Sequence, residues 1–134
     1  MKKEVLIKGV YFGKTKCFPS LNNLLHEYQR SPYAGNDMKK KYMNIANRNI
    51  RLQLRGWKTE KPIIIHYEFG EPTDGHYRDI GNILSCADKI ISDSLVQCKV
   101  IHDDAPKYVK DITHRVVYVR KDEKPYIKVT LEEV

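Results

Sequence analysis

Five aspartates fall in and around one amphipathic segment of the chain. Asp79 stands at its mouth, Asp88 and Asp93 lie within it, and Asp103-Asp104 follow just past its far end. Carboxylates are hard oxygen donors, and a few of them together hold Mg2+. Such an ion activates a water molecule and neutralises charge at a phosphodiester. Acidic residues gathered in an otherwise basic chain point to metal-assisted phosphate chemistry of the nuclease type.

Helical rise sorts these carboxylates. At ~1.5 Å per residue, Asp88 lies ~13 Å and Asp93 ~21 Å along the axis from Asp79, too far to share an ion with it. Both read as surface or helix-pairing residues. Asp103 and Asp104 begin some ~27 Å from Asp79 if the helix reaches Gln97. The seven residues that return from the helix end cover at most ~23 Å. A site within one chain therefore requires a nearly extended return antiparallel to the helix. The other arrangement is a site shared between two subunits. Each group also has a plainer reading: Asp79 as a helix N-cap, and Asp103-Asp104 before Ala105-Pro106 as a turn. Cys98 and His102 supply two zinc-type donors, and two do not make a site. His102, as a lone histidine, reads first as structural.

The elements that must position these groups are legible along the chain. The 134 residues suit one domain spanning 1–134, with 41% hydrophobic content. No apolar run approaches the ~20 residues of a membrane span, and Met1–Gly13 reads as a strand rather than a signal peptide. Three cysteines without a CxxC pattern fit reduced thiols, hence a cytoplasmic location. The net charge of +7 and a pI of about 9.3 favour a polyanionic partner, with a local cluster at Lys39, Lys40 and Lys41.

Alternation predicts a strand over 3–11, and turn residues dominate 12–36 around a short helix at 21–29. Asn36 or Asp37 can cap a helix running to Arg55 and stopped by Gly56. Met38, Tyr42, Ile45, Asn49 and Leu52 would form its buried stripe. The apolar run in 62–69 predicts a central strand covered on both faces. Residues 80–97 form a helix whose apolar face carries Ile80, Ile83, Leu84, Ala87, Ile90, Ile91 and Leu95. Strands are predicted at 113–120 and 125–132, joined as a hairpin through Asp122-Glu123-Lys124. The order β-α-α-β-α-β-β describes a compact α+β domain with a mixed sheet flanked by helices.

Several of these anchors coincide with a known pattern. Arg78-Asp79-Ile80-Gly81-Asn82 opens the helix, Lys89-Ile90-Ile91-Ser92-Asp93-Ser94-Leu95 lies within it, and Asp103-Asp104 precedes Lys107-Tyr108-Val109. Upstream stand Pro19-Ser20-Leu21-Asn22-Asn23 and Pro32-Tyr33-Ala34-Gly35-Asn36-Asp37-Met38-Lys39-Lys40. In this order and spacing the chain resembles the RusA-type Holliday junction endonucleases, in particular their phage and Gram-positive branch, over nearly its whole length. The resemblance implies a homodimer that nicks branched DNA with Mg2+ (or Mn2+ in its place) in recombination, repair or phage DNA processing.

On the matching positions Asp79 and Asp104 would be metal ligands, Asp103 would assist, and Asn82 would order the turn into the helix. Lys89 would match a functional lysine, although an ungapped count from Asp79 reaches Ser85 instead. Lys39, Lys40, Lys41, Arg78 and Lys107 would hold the DNA backbone. One departure stands out: the family's second aspartate is Gly81 here, and glycine has no side chain to ligate with. Asp74, His76, Glu71 and His102 are the residues that could compensate. The alternative to a nuclease is therefore a junction-binding protein in which catalysis is weakened or lost.

Overall fold

The computed structural model describes residues 1–9, 12, 17–73 and 77–134. The elements run β1 (Lys2–Lys8), α1 (Leu21–Arg30), α2 (Pro32–Leu54), β2 (Ile63–Glu71), α3 (Ile80–Gln97), β3 (Val109–Tyr118) and β4 (Tyr126–Glu133). This is the expected β-α-α-β-α-β-β order in one compact α+β domain. The four strands form a mixed sheet in the order β1-β4-β2-β3. β4 is antiparallel to both β1 and β2, whereas β2 and β3 run parallel.

That order corrects the expected hairpin. β3 and β4 are not neighbours, because β2 lies between them. The chain leaves β3, crosses β2 and enters the sheet on its other side. Strand alternation and a turn-rich joint look alike in sequence whether the next strand pairs beside the last or one place away. β3 also begins four residues earlier than the alternation at 113–120 suggests, at Val109.

β1, β2 and β4 each turn one set of residues toward the helices. Val5 and Ile7, Ile63, Ile65, Tyr67 and Phe69, and Ile127, Val129 and Leu131 are buried there. The reverse face carries His66, Glu68, Lys128, Thr130 and Glu132, all only half-buried. β2 is therefore central, as its isoleucine run suggests, but it is covered on one face only. Gly70 makes room on the open face: a Cβ there would lie 2.2 Å from the ring of Tyr126 on the neighbouring strand.

α2 starts at Pro32 rather than at Asn36 or Asp37. Ser31 caps it by accepting from the Ala34 amide at 3.0 Å, and Pro32 occupies the first turn, where its missing N–H costs nothing. Its buried residues are Gly35, Tyr42, Ala46, Asn47, Asn49, Ile50 and Leu54. Leu52, expected in that stripe, is 65% exposed. α3 buries Ile83, Ala87, Ile90, Ile91 and Leu95 as expected, and Cys86 besides; Leu84 is partly buried and Ile80 on the first turn faces out. A polar seam joins the two long helices. Asn47 on α2 accepts from the Ser94 hydroxyl and donates to Gln97 at 3.2 Å. Among the described residues no helix is long and apolar enough to cross a membrane.

Candidate functional site

α3 connects the two parallel strands, and this fixes where the acidic groups stand. β2 ends at Glu71, α3 returns along the sheet, and β3 starts again beside the beginning of β2, with Ile63 paired to Val109. Asp79 therefore lies at the sheet edge where β2 and β3 finish. Asp103-Asp104 lie at the opposite edge, where the Thr59 amide donates to Val100 and the Ile63 amide donates to Tyr108. The 18 residues of α3 set the two groups ~27 Å apart along its axis. The return is not an extended strand laid back along the helix. Lys99 adopts a left-handed conformation (φ 61°) and Val100 folds under the helix end. Within one chain, Asp79 and Asp104 do not meet, and the described residues contain no cluster of three or more His, Cys, Asp or Glu side chains able to hold a metal.

A buried ion pair holds the Asp79 end. Glu71 grips the Arg78 guanidinium with both oxygens, at 2.7 and 2.8 Å, and Arg78 also donates to the Phe18 carbonyl at 2.7 Å. Both side chains are largely buried. Burial opposes the Arg78 charge, but the Glu71 carboxylate outweighs it and keeps the guanidinium firmly protonated. Arg78 thus anchors the approach to α3, with three of its five N–H donors engaged and its side chain 19% exposed. Glu71, one of the residues that could compensate for Gly81, has both carboxylate oxygens engaged in the same pair.

Asp79 itself is exposed and sits at the N-cap, yet its side chain makes no cap hydrogen bond. Ser20 and Ser31, by contrast, both cap their helices. Gly81 lies exposed on the first turn, where an added Cβ would meet nothing within 4 Å. Tyr77 and Tyr118 pack edge to face near this end of the sheet, with ring centroids 5.0 Å apart. Asp74 and His76 lie outside the described residues.

At the other end, Asp103 accepts from the Asp104 amide at 2.7 Å, which shapes the turn expected there and leaves Asp104 exposed. Lys107 is exposed next to them, with its ammonium 5.5 Å from the Tyr108 ring centre. His102 packs against the same ring. A cavity of about 320 Å3 opens alongside, lined by Lys58, Thr59, Glu60, Lys99, Ile101 and His102. Lys58 and Lys99 were not legible as a pair: they are 41 positions apart, and only the fold brings both to the cavity that His102 lines.

The remaining candidates divide cleanly. Asp88 accepts from the Tyr67 and Ser92 hydroxyls, at 2.7 and 2.9 Å, and so ties α3 to β2. Asp93 pairs with Lys39 of α2 and with Lys89 one turn before it. Asp93 is thus a helix-pairing group, as helical rise suggested, whereas Asp88 joins its helix to the sheet. Lys39 and Lys89 share Asp93 as their partner rather than gathering at either acidic end. Lys41 lies over the Tyr42 ring, and Lys40 is exposed.

The open sheet face holds a polar network that sequence reading missed. His66 sits between Thr113, at 2.5 Å, and Glu132, at 2.9 Å. Glu68 receives Tyr126, Arg115 and Lys128. The signal was available only as alternate polar residues on three separate strands. No protein-family model matches the chain, and no curated protein matches it.

Proposed function

We propose that the protein is a Mg2+-dependent endonuclease for branched DNA whose metal site is completed by two chains. The observation that carries this reading is the Asp79 carboxylate. It stands exposed at the mouth of a helix, is left out of capping, and follows directly on the buried Arg78–Glu71 pair that anchors the backbone there. Such a carboxylate is pre-positioned for a ligand, and an ion is the ligand that carboxylates at a basic surface suit. The chemistry requires an opposing acidic group with a cationic neighbour, and the exposed Asp104, with the exposed Lys107 three residues on, would supply both. A metal held by Asp79 and Asp104 would activate water for in-line attack on the phosphate. The likeness to the RusA-type enzymes adds the substrate, a four-way DNA junction.

A second reading is favoured by the ~27 Å between Asp79 and Asp104 within one chain and by the glycine at position 81. In it the protein binds junctions without cutting them. A labelled four-way junction with Mg2+ separates the two. Nicking by the wild type that disappears in Asp79→Asn and in Asp104→Asn supports the nuclease. Salt-sensitive binding with no nicking at any Mg2+ or Mn2+ concentration overturns it in favour of the binder.

A further inference from the structure

Charge is unevenly spread over the molecule. From Pro32 to Arg55 six cations face a single acid, Asp37, a net +5 of the chain's +7. Lys40, Asn44, Arg48, Arg51 and Arg55 follow one another at steps of four, four, three and four, so they form one row along α2. All five are exposed. At the rise of a helix the row is ~22 Å long. Lys39 and Lys41, which stand outside it, are engaged by Asp93 and by the Tyr42 ring. Among the described residues, none of the four cations in the row makes an ion pair or a side-chain hydrogen bond. The open sheet face is the reverse: Lys2, Arg115 and Lys128 are each paired there with Glu132 or Glu68.

A solvated helix face does not call for this arrangement. Like charges three or four residues apart, as in Arg48–Arg51 and Arg51–Arg55, destabilise a helix. The helix dipole favours cations only in the last turn, so it accounts for Arg51 and Arg55 but not for Lys40 or Arg48. Arg55 carries a further cost. It caps α2 in the left-handed conformation, φ 51°, where glycine is usual, and Gly56 stands directly after it. A bound polyanion removes the repulsion. A membrane surface fits less well, because α2 buries its apolar face in the core. Between Lys40 and Arg55, Leu52 is the one large apolar side chain that is exposed. Arginine's planar donors match phosphate oxygens in pairs, and phosphates recur without interruption along a DNA strand.

We propose that the α2 row holds the phosphate backbone of a duplex DNA arm, over about six base pairs. This surface is separate from the carboxylates and from the open sheet face. Its C-terminal end leads toward the proposed reaction site. Lys58 lies three residues past Arg55 and lines a cavity with Lys99 and His102, the residue before Asp103. That the arm belongs to a branched substrate rests on the nuclease reading; the affinity of the row for a DNA backbone does not.

The row is tested by binding alone. A labelled linear duplex and a labelled four-way junction are titrated by fluorescence anisotropy in Ca2+ over a series of salt concentrations. Arg48→Ala and Arg51→Ala should each lower the steepness of log affinity against log salt by about one, and the double variant by about two. Arg48→Lys should keep the wild-type steepness. Arg55→Gly should lower it by about one while its urea midpoint stays level or rises, because glycine suits the left-handed cap. That variant separates a lost contact from lost folding. Lys2→Ala, on the open sheet face, should change nothing. Wild-type steepness in the arginine-to-alanine variants, or an equal loss in Lys2→Ala, overturns the row. So does displacement of DNA by polyglutamate at a lower concentration of charge than competitor DNA needs, which assigns the row to an acidic protein. Nicking is read separately, on the junction with Mg2+. A protein that never nicks, yet loses steepness in the arginine variants, refutes the nuclease reading and leaves the row intact. One that nicks while those variants bind as wild type does the reverse.

Discussion

At the scale of single residues, Gly81 governs what the chain can do. It occupies the second position of α3, where an added side chain meets nothing, so its absence of a carboxylate is not enforced by packing. Gly81→Asp should therefore fold normally. It removes a helical glycine and places a negative charge at a helix N-terminus, which together contribute about 0.5 kcal/mol after repulsion from Asp79. Urea unfolding should show that gain. In the junction assay the same variant should nick faster than wild type, because it supplies a second carboxylate two residues from Asp79. Unchanged or slower nicking would remove position 81 from the metal site. Arg78 shows the opposite lesson. A basic residue next to a candidate ligand suggests phosphate binding, yet its partner seven residues upstream holds the guanidinium in a largely buried pair. That partnership is set by the connection between β2 and α3, which no local pattern reveals.

At the scale of elements, the sheet is held together on its open face by Glu68. From β2 it accepts from Arg115 of β3 and from Tyr126 of β4, and it lies near Lys128. The Tyr126 hydrogen bond, opposed by partial burial and helped by Arg115 and Lys128, holds the Glu68 carboxyl below its ordinary value of 4.5. A depressed carboxyl contributes stability that is present above the unfolded value and is lost as pH falls through the folded one. Glu68→Gln should accordingly be less stable than wild type at pH 7, and the difference should shrink as the pH falls below 4.5. Denaturant midpoints on either side of that value measure it; a constant difference would mean that Glu68 acts by shape and not by charge.

The elements themselves were largely readable. The alternation of Ile127, Val129 and Leu131, and the helical spacing from Ile83 to Leu95, fix a half-buried strand and a one-sided helix. The pairing of β3 was not readable, because nothing in THRVVYVR distinguishes a hairpin partner from a strand one place away. Nor was the start of α2, where Pro32 looks like a loop residue until Ser31 is seen to cap the helix. The candidate site was legible in composition but not in assembly. Helical rise correctly set Asp88 and Asp93 aside, and it left Asp79 and Asp104 with a closure that one chain does not achieve.

At the scale of the whole molecule, the question is where a charge of +7 acts. The lysines of the cluster at 39–41 are divided: Lys39 is paired with Asp93, and Lys41 lies over its neighbour's ring. Lys58 and Lys99, in contrast, line a cavity with His102, the residue before Asp103-Asp104, and Lys107 is exposed three residues beyond that pair. If Asp103 and Asp104 face a metal-bridged phosphate as proposed, lysines at that end of the sheet would offset the repulsion between carboxylates and DNA. Each phosphate contact that is lost should lower the steepness of the dependence of log affinity on log salt by about one. Lys58→Ala, Lys99→Ala and Lys107→Ala should each do so with a four-way junction in Ca2+, where binding proceeds without cleavage, whereas Lys39→Ala should change the slope little and Arg78→Ala should act through stability instead. Fluorescence anisotropy from low to moderate salt reads these slopes directly. If the three lysine variants keep the wild-type slope while Lys40→Ala reduces it, DNA lies along α2, away from both acidic ends, and the protein binds nucleic acid on a surface that its carboxylates do not serve.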